Sequence, residues 1–213
     1  MPLADGDDSI TAPTMPALHA PRTELPVDLD AHIAKLPPNA SCKGFFFTDI
    51  INRLKRAHPT KDPYALAGIP DKRYVPFFEY PYADILRLCF NGAKHLYPNH
   101  SIGAGLRELG AHAYDTLLKS PAGRVIAGVF GLDIEQLLPN GIKAYGVALN
   151  FGKVTIEMVG NRTARYEFRD LPGLLETYQV GVIEGAVKHC GCEPEMLVSV
   201  PDIANASMEL RWR

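Results

Sequence analysis

The sequence predicts an α+β fold, a helical N-terminal half packed with an antiparallel sheet that a late helix crosses. Two observations carry this. Apolar residues recur at helical spacing from about residue 43 to residue 139, and from residue 142 onward the period changes to two. Within that second part, the stretch after Pro172 reads as a helix containing Gly181 and Gly185. The order there is strand, strand, strand, helix, strand, strand.

Residues 1–40 are expected to be a disordered tail. Prolines stand at 2, 13, 16, 21, 26, 37 and 38, and the apolar residues between them have no period. Such a run buries too little surface to offset its ordering entropy. A short helix over 27–36 is the one regular element it allows, and residues 41–213 are expected to form a single α+β domain. The first strong helix covers 43–57, where Phe46, Phe47, Ile50, Ile51 and Leu54 share a face. Pro59, Pro63, Gly68, Pro70 and Pro76 make 58–81 a long connection.

A second helix covers 82–97 and stops at Pro98. Ser101 caps a third running to about 119. Ser120 and Pro121 open a fourth to about 130, and Asp133 caps a short fifth ending at Pro139. Strands are expected over 142–150, 154–158 and 165–169, the last two joined through Gly160 and Asn161. Pro172 opens the late helix, which ends near His189 with Gly191 as its C-cap. Residues 197–201 and 208–213 supply the final strands, the second alternating Met208, Leu210 and Trp212 with charged residues.

Apolar content of 46% and charged content of 22% are those of an ordinary globular protein. A net charge of −2 and the lack of any recognition module argue against nucleic acid. No run approaches the roughly 18 to 20 apolar residues of a membrane span. The acidic start is unlike a secretory signal, so the four cysteines (Cys42, Cys89, Cys190, Cys192) are expected as free thiols in the cytoplasm.

Three segments carry a resemblance: Lys43-Gly44-Phe45-Phe46-Phe47, Leu96-Tyr97-Pro98, and Gly181-Val182-Ile183-Glu184-Gly185. Together they resemble an uncharacterised family of paralogues expanded in myxobacteria, over roughly residues 43–213. More distantly, the closing strands and Gly-bearing helix are similar to 4-vinyl-reductase-type, haem–nitric-oxide-binding and TRAPP-type domains. The resemblance implies a ligand-binding or dimerising α+β module and names no ligand. The chain lacks the Tyr-x-Ser-x-Arg triplet that holds haem propionates in the haem–nitric-oxide domains. It also has no cysteine between Val198 and Trp212, where zinc-binding relatives carry them, so neither cofactor is carried over.

His189-Cys190-Gly191-Cys192 offers two thiols and an imidazole, but a closed metal site needs a further ligand pair, and structural thiols are the favoured reading. Gly103, Gly105 and Gly110 follow no strand and have the wrong spacing for dinucleotide binding. Gly181 and Gly185 lie four apart on one helix face, which suggests close approach of a strand, helix or ligand, with close packing on the sheet favoured over a ligand wall. Glu184 between them needs a partner such as an arginine or a tyrosine hydroxyl if it is buried. Arg162, Arg165, Arg169, Arg211 and Arg213 share strand faces with Glu157, Glu167 and Glu209, so a mixed-charge surface is favoured over an anion site. No catalytic, metal or cofactor site is expected.

The reading is a non-enzymatic cytoplasmic sensor or accessory signalling module. It binds an apolar small molecule through Phe77, Phe78, Tyr82, Leu86, Cys89, Tyr178, Gly181, Glu184 and Gly185. The alternative is a homodimeric protein–protein interaction scaffold, and the third a redox- or metal-responsive protein.

Overall fold

The structure, a computed structural model, describes residues 17–119 and 133–213. Helix α1 (Leu29–Ala34) begins where the Asp28 carboxylate accepts the Ala31 N–H at 2.9 Å. Strand β1 (Ser41–Lys43) is followed by α2 (Phe45–Ala57) and a short α3 (Pro63–Ala67). Asp62 caps α3, and Gly68 at φ +67° ends it in the left-handed conformation that a glycine adopts without steric cost. Strand β2 (Glu79–Pro81) then pairs antiparallel with β1 and leads into α4 (Tyr82–Leu96). Ser101 Oγ accepts the Ala104 N–H at 3.1 Å at the start of α5 (Ile102–Lys119).

Next come α6 (Ile134–Ala148), β3 (Lys153–Gly160) and β4 (Thr163–Arg169). A π-helical turn (Leu175–Gln179) continues into α7 (Val180–His189), and β5 (Pro194–Asp202) and β6 (Asn205–Trp212) close the chain. The sheet they form is antiparallel throughout, in the order β3-β4-β6-β5. The α+β class is therefore the one the sequence predicts.

Two apolar cores result. One lies under the sheet, where Phe168, Met208 and Leu210 face Val180 and Val187 of α7. The other lies among the helices, around Phe47, Leu54, Leu88 and Leu106. All of these side chains are fully buried, and burial of one contributes about 2 kcal/mol.

Two expectations need correction. Residues 142–150 do not form a strand, and the fifth helix does not stop at Pro139; α6 runs through both as far as Ala148. Leu138, Ile142 and Tyr145, spaced four and three apart, put one helical stripe on the sheet core and override the local alternation. The sheet thus has two strands before the late helix rather than three. Residues 17–40, part of the expected tail, make specific contacts with the rest of the chain. His19 pairs with the outer edge of β5 through His19 N–H to Val198 O (2.9 Å) and Val198 N–H to His19 O (2.7 Å). Arg22 clasps Glu176 in the π-helical turn with its backbone N–H (2.9 Å), its Nε (2.8 Å) and its Nη2 (3.2 Å). Specific polar latches hold this segment where apolar periodicity could not. The expected fourth helix over 120–130 lies outside the described residues.

His32 of α1 is 9% exposed, and its ring donates to the Pro172 carbonyl while Nδ1 is buried without a partner among the described residues. Burial holds the imidazole below its ordinary value of 6.5, outweighing the Pro172 hydrogen bond and the Asp28 charge. Protonation therefore favours the unfolded chain. The contribution of neutral His32 is complete above about pH 6.5 and declines as pH falls below it. Urea unfolding at pH 7.5 and pH 5 should show a larger loss for the native chain than for His32→Asn. Equal losses would exclude this histidine as the cause.

Candidate functional site

The nine residues singled out from sequence fall in three places. Tyr82, Leu86 and Cys89 of α4 are buried, and Tyr178 of the π-helical turn is partly buried; all four stand where the helical core meets the sheet core. Ring contacts and hydrogen bonds occupy this junction. Tyr82 packs edge-on against Phe151 with centroids 4.8 Å apart, and Tyr145 against Phe168 at 6.1 Å. Tyr145 Oη donates to Gln179 Oε1 at 2.5 Å, and Gln179 Nε2 donates to the Gly173 carbonyl at 3.3 Å. Burial pushes the Cys89 thiol up to about 12 despite a hydrogen bond from Tyr178, and raises Tyr82, Tyr145 and Tyr178 as well. These groups are neutral hydrogen-bonding partners and not nucleophiles.

Phe77 and Phe78 lie away from that junction, 67% and 65% exposed. Their loop is nonetheless pinned: Gly44 N–H donates to Phe78 O at 2.9 Å and Phe78 N–H to Val75 O at 3.1 Å.

Gly181 and Gly185 form a seam between α7 and α5. A Cβ on Gly181 would collide with the Arg107 carbonyl, and one on Gly185 with the Ala111 carbonyl. Gly110 meets the Tyr178 carbonyl in the same way from the other side. The glycines serve contact with helix α5, rather than the packing on the sheet that the sequence favoured.

Between them, Glu184 is 6% exposed and faces Arg107 of α5. Arg107 Nε donates to Oε2 at 2.8 Å and Nη2 to Oε1 at 2.5 Å, a bidentate fork. The hydrogen bond to Glu184 raises Arg107 above its ordinary value, so the guanidinium stays charged. Above the pair opens a cleft of about 350 Å³, walled by Thr23, Arg107, Glu108, Glu184, Lys188 and Glu193 among others. Thr23 reaches it from the N-terminal segment, its carbonyl accepting Ser101 Oγ at 2.8 Å. The sequence marks Glu184 and its need for a partner such as an arginine, but Arg107 lies 77 residues away and Thr23 further still. No local signal links them.

Arg165 and Arg211 pair with Glu209, and Arg169 with Glu167, so the outer sheet face carries mixed charge. Cys190 and Cys192 are partly buried, with burial raising Cys190. Among the described residues no three His, Cys, Asp or Glu side chains group as metal ligands. No helix among them is long and apolar enough to cross a membrane.

Residues 35–213 match the family described as Protein of unknown function (DUF2378). The solved structures that are similar include three, each matched over 80% of this chain. They are the Fe(II) unliganded H-NOX protein of K. algicida (15% identity, TM-score 0.59, 96% of that chain), the Fe(II)NO H-NOX protein of S. oneidensis (13%, 0.56, 99%) and a mutant H-NOX of T. tengcongensis (15%, 0.57, 97%). At these identities the likeness is one of fold. No curated protein matches the chain.

That fold raises the question of haem, which needs an axial ligand with open space beside it and cations for its propionates. The described residues do not fit one. The junction is occupied by the rings of Tyr82, Phe151 and Tyr145. Of the buried or facing histidines, His32 is committed to Pro172, His58 and His95 face each other, and His189 packs on Tyr114. His112 is bonded to the Glu108 carbonyl on the surface of α5.

Proposed function

The chain belongs to that family, and we propose that it is a non-enzymatic small-molecule-binding sensor or accessory signalling module of the cytoplasm, its ligand received in the cleft over Arg107 and Glu184. The observation that carries this is an ion pair, with Glu184 buried and Arg107 partly exposed, lining an open cleft. A buried pair adds little net stability compared with apolar packing, so its place beneath a solvent-open cavity is better accounted for by recognition. An apolar ligand at the junction, which the sequence suggested, would have to displace the packed rings of Tyr82, Phe151 and Tyr145. The similar structures, described in Fe(II)NO and Fe(II)CO ligation states, are proteins of this fold that hold small ligands, and they support the sensor class by analogy.

A homodimeric scaffold is the second reading, favoured by the exposed Phe77 and Phe78 on their pinned loop. Native mass spectrometry of the protein from its own host, compared with the denatured mass, separates the two. Extra mass that is lost on denaturation, and lost in an Arg107→Met variant, is the expected result. A dimer carrying no extra mass would replace the sensor by the scaffold.

A further inference from the structure

We propose that the cleft selects a small molecule with the charge pattern of a basic amino acid: a carboxylate held by Arg107 and Lys188, and cationic groups held by Glu108 and Glu193. This rests on the cleft being the ligand site.

The charges point to that class. Two cations (Arg107, Lys188) and three carboxylates (Glu108, Glu184, Glu193) line the cleft. Arg107 and Glu184 satisfy each other at the floor, which leaves one cation and two carboxylates to meet a ligand. Among the described residues, Glu108, Lys188 and Glu193 form no side-chain ion pair of their own. A ligand with one negative and two positive groups complements all three. Arg107 also has capacity to spare. A guanidinium carries five N–H donors and Glu184 takes one from Nε and one from Nη2, which leaves three for an incoming carboxylate.

Size and rigidity agree with a small, polar occupant. About 350 Å³ is at the low end for ligand pockets. The α5 and α7 walls cannot close further, because Gly181 and Gly185 already hold the two backbones in contact. A third wall is the segment bearing Thr23, fixed by Ser101 on one side and by the Arg22–Glu176 clasp on the other, and a fourth is Glu193 with Pro194, where the Glu193 N–H donates to Arg213 O at 2.9 Å. A cleft whose walls are set before binding loses little entropy when it is filled. Because the rim charges of Glu108, Lys188 and Glu193 are exposed, each contact is modest and sensitive to salt.

The test is a titration of the full chain, followed by amide chemical shifts, with L-arginine and L-lysine as probes and with agmatine and L-glutamate as contrasts. L-Arginine and L-lysine are expected to saturate and to move resonances of 104–111 and 184–194. Agmatine, which lacks the carboxylate, should bind about tenfold more weakly, the loss of a charge-assisted hydrogen bond. Glu108→Gln and Glu193→Gln are surface changes that leave the Arg107–Glu184 pair intact, and each should weaken L-arginine about fivefold. No saturation by either basic amino acid, tighter binding of L-glutamate, or indifference to both variants would overturn the proposal. A host ligand of another charge class that moves the cleft resonances would overturn the class alone. One that leaves those resonances in place would overturn the site reading as well.

Discussion

Gly181→Ala should destabilise the protein by about 3 kcal/mol, the upper part of the range for overpacking. The added methyl would meet the Arg107 carbonyl and the Ala111 backbone nitrogen, so relief requires α5 and α7 to move apart and not a side chain to turn. That movement would also loosen the wall of the cleft. Gly146→Ala provides the opposite expectation in the same assay. Gly146 lies in α6 with nothing among the described residues within 4 Å of an added Cβ, and alanine there should stabilise by about 0.5–1 kcal/mol through helix propensity. Urea unfolding midpoints of the two variants check both signs. A mild effect at Gly181 would mean that the seam is looser than the contact geometry implies.

Glu184→Ala should cost about 2 kcal/mol. Removing one partner of a buried pair commonly costs about 3–5 kcal/mol because a buried charge is stranded. Here Arg107 keeps 34% of its side chain exposed, and water reaching the guanidinium reduces the penalty. Glu184→Gln retains an acceptor for one arm of the fork and should lose about half as much. The pair of variants separates charge from shape, because both remove the carboxylate and only alanine removes the hydrogen-bonding side chain. Equal stability of both variants and the native chain, by thermal and urea unfolding, would show that the fork contributes nothing net.

The folded chain divides along the range of the forces involved. Periodicity, caps and turn residues act over a few positions. They are enough to mark α2, α4 and α5, the Asp133 and Ser101 caps, the β3–β4 hairpin and the alternation of β6. Where local signals conflict, packing decides. Residues 142–148 alternate like a strand, yet the stripe from Leu138 to Tyr145 gains more against the sheet core as a helix. The stretch from Leu18 to Val27 has no period at all, and clasps to Val198 and Glu176, more than 150 residues away, hold it.

The candidate site divides in the same way. Two glycines flanking an acid on one helix face are visible in sequence and point to close approach and to a buried carboxylate in need of a partner. Which atoms approach is not visible, because a glycine looks the same whether a helix, a strand or a ligand lies against it. The tertiary structure brings Arg107, Glu184 and Thr23 to one cleft, fills the junction with Tyr82 and Tyr145, and turns Phe77 and Phe78 to the outside. The sequence by itself determined the α+β class and the need of Glu184 for a partner once buried, because these depend on local pattern and on the cost of burying a charge. Only the tertiary structure decided where the cleft lies and which charges face it, because contacts between residues 77 and more positions apart depend on how the two cores dock and leave no periodic trace in the chain.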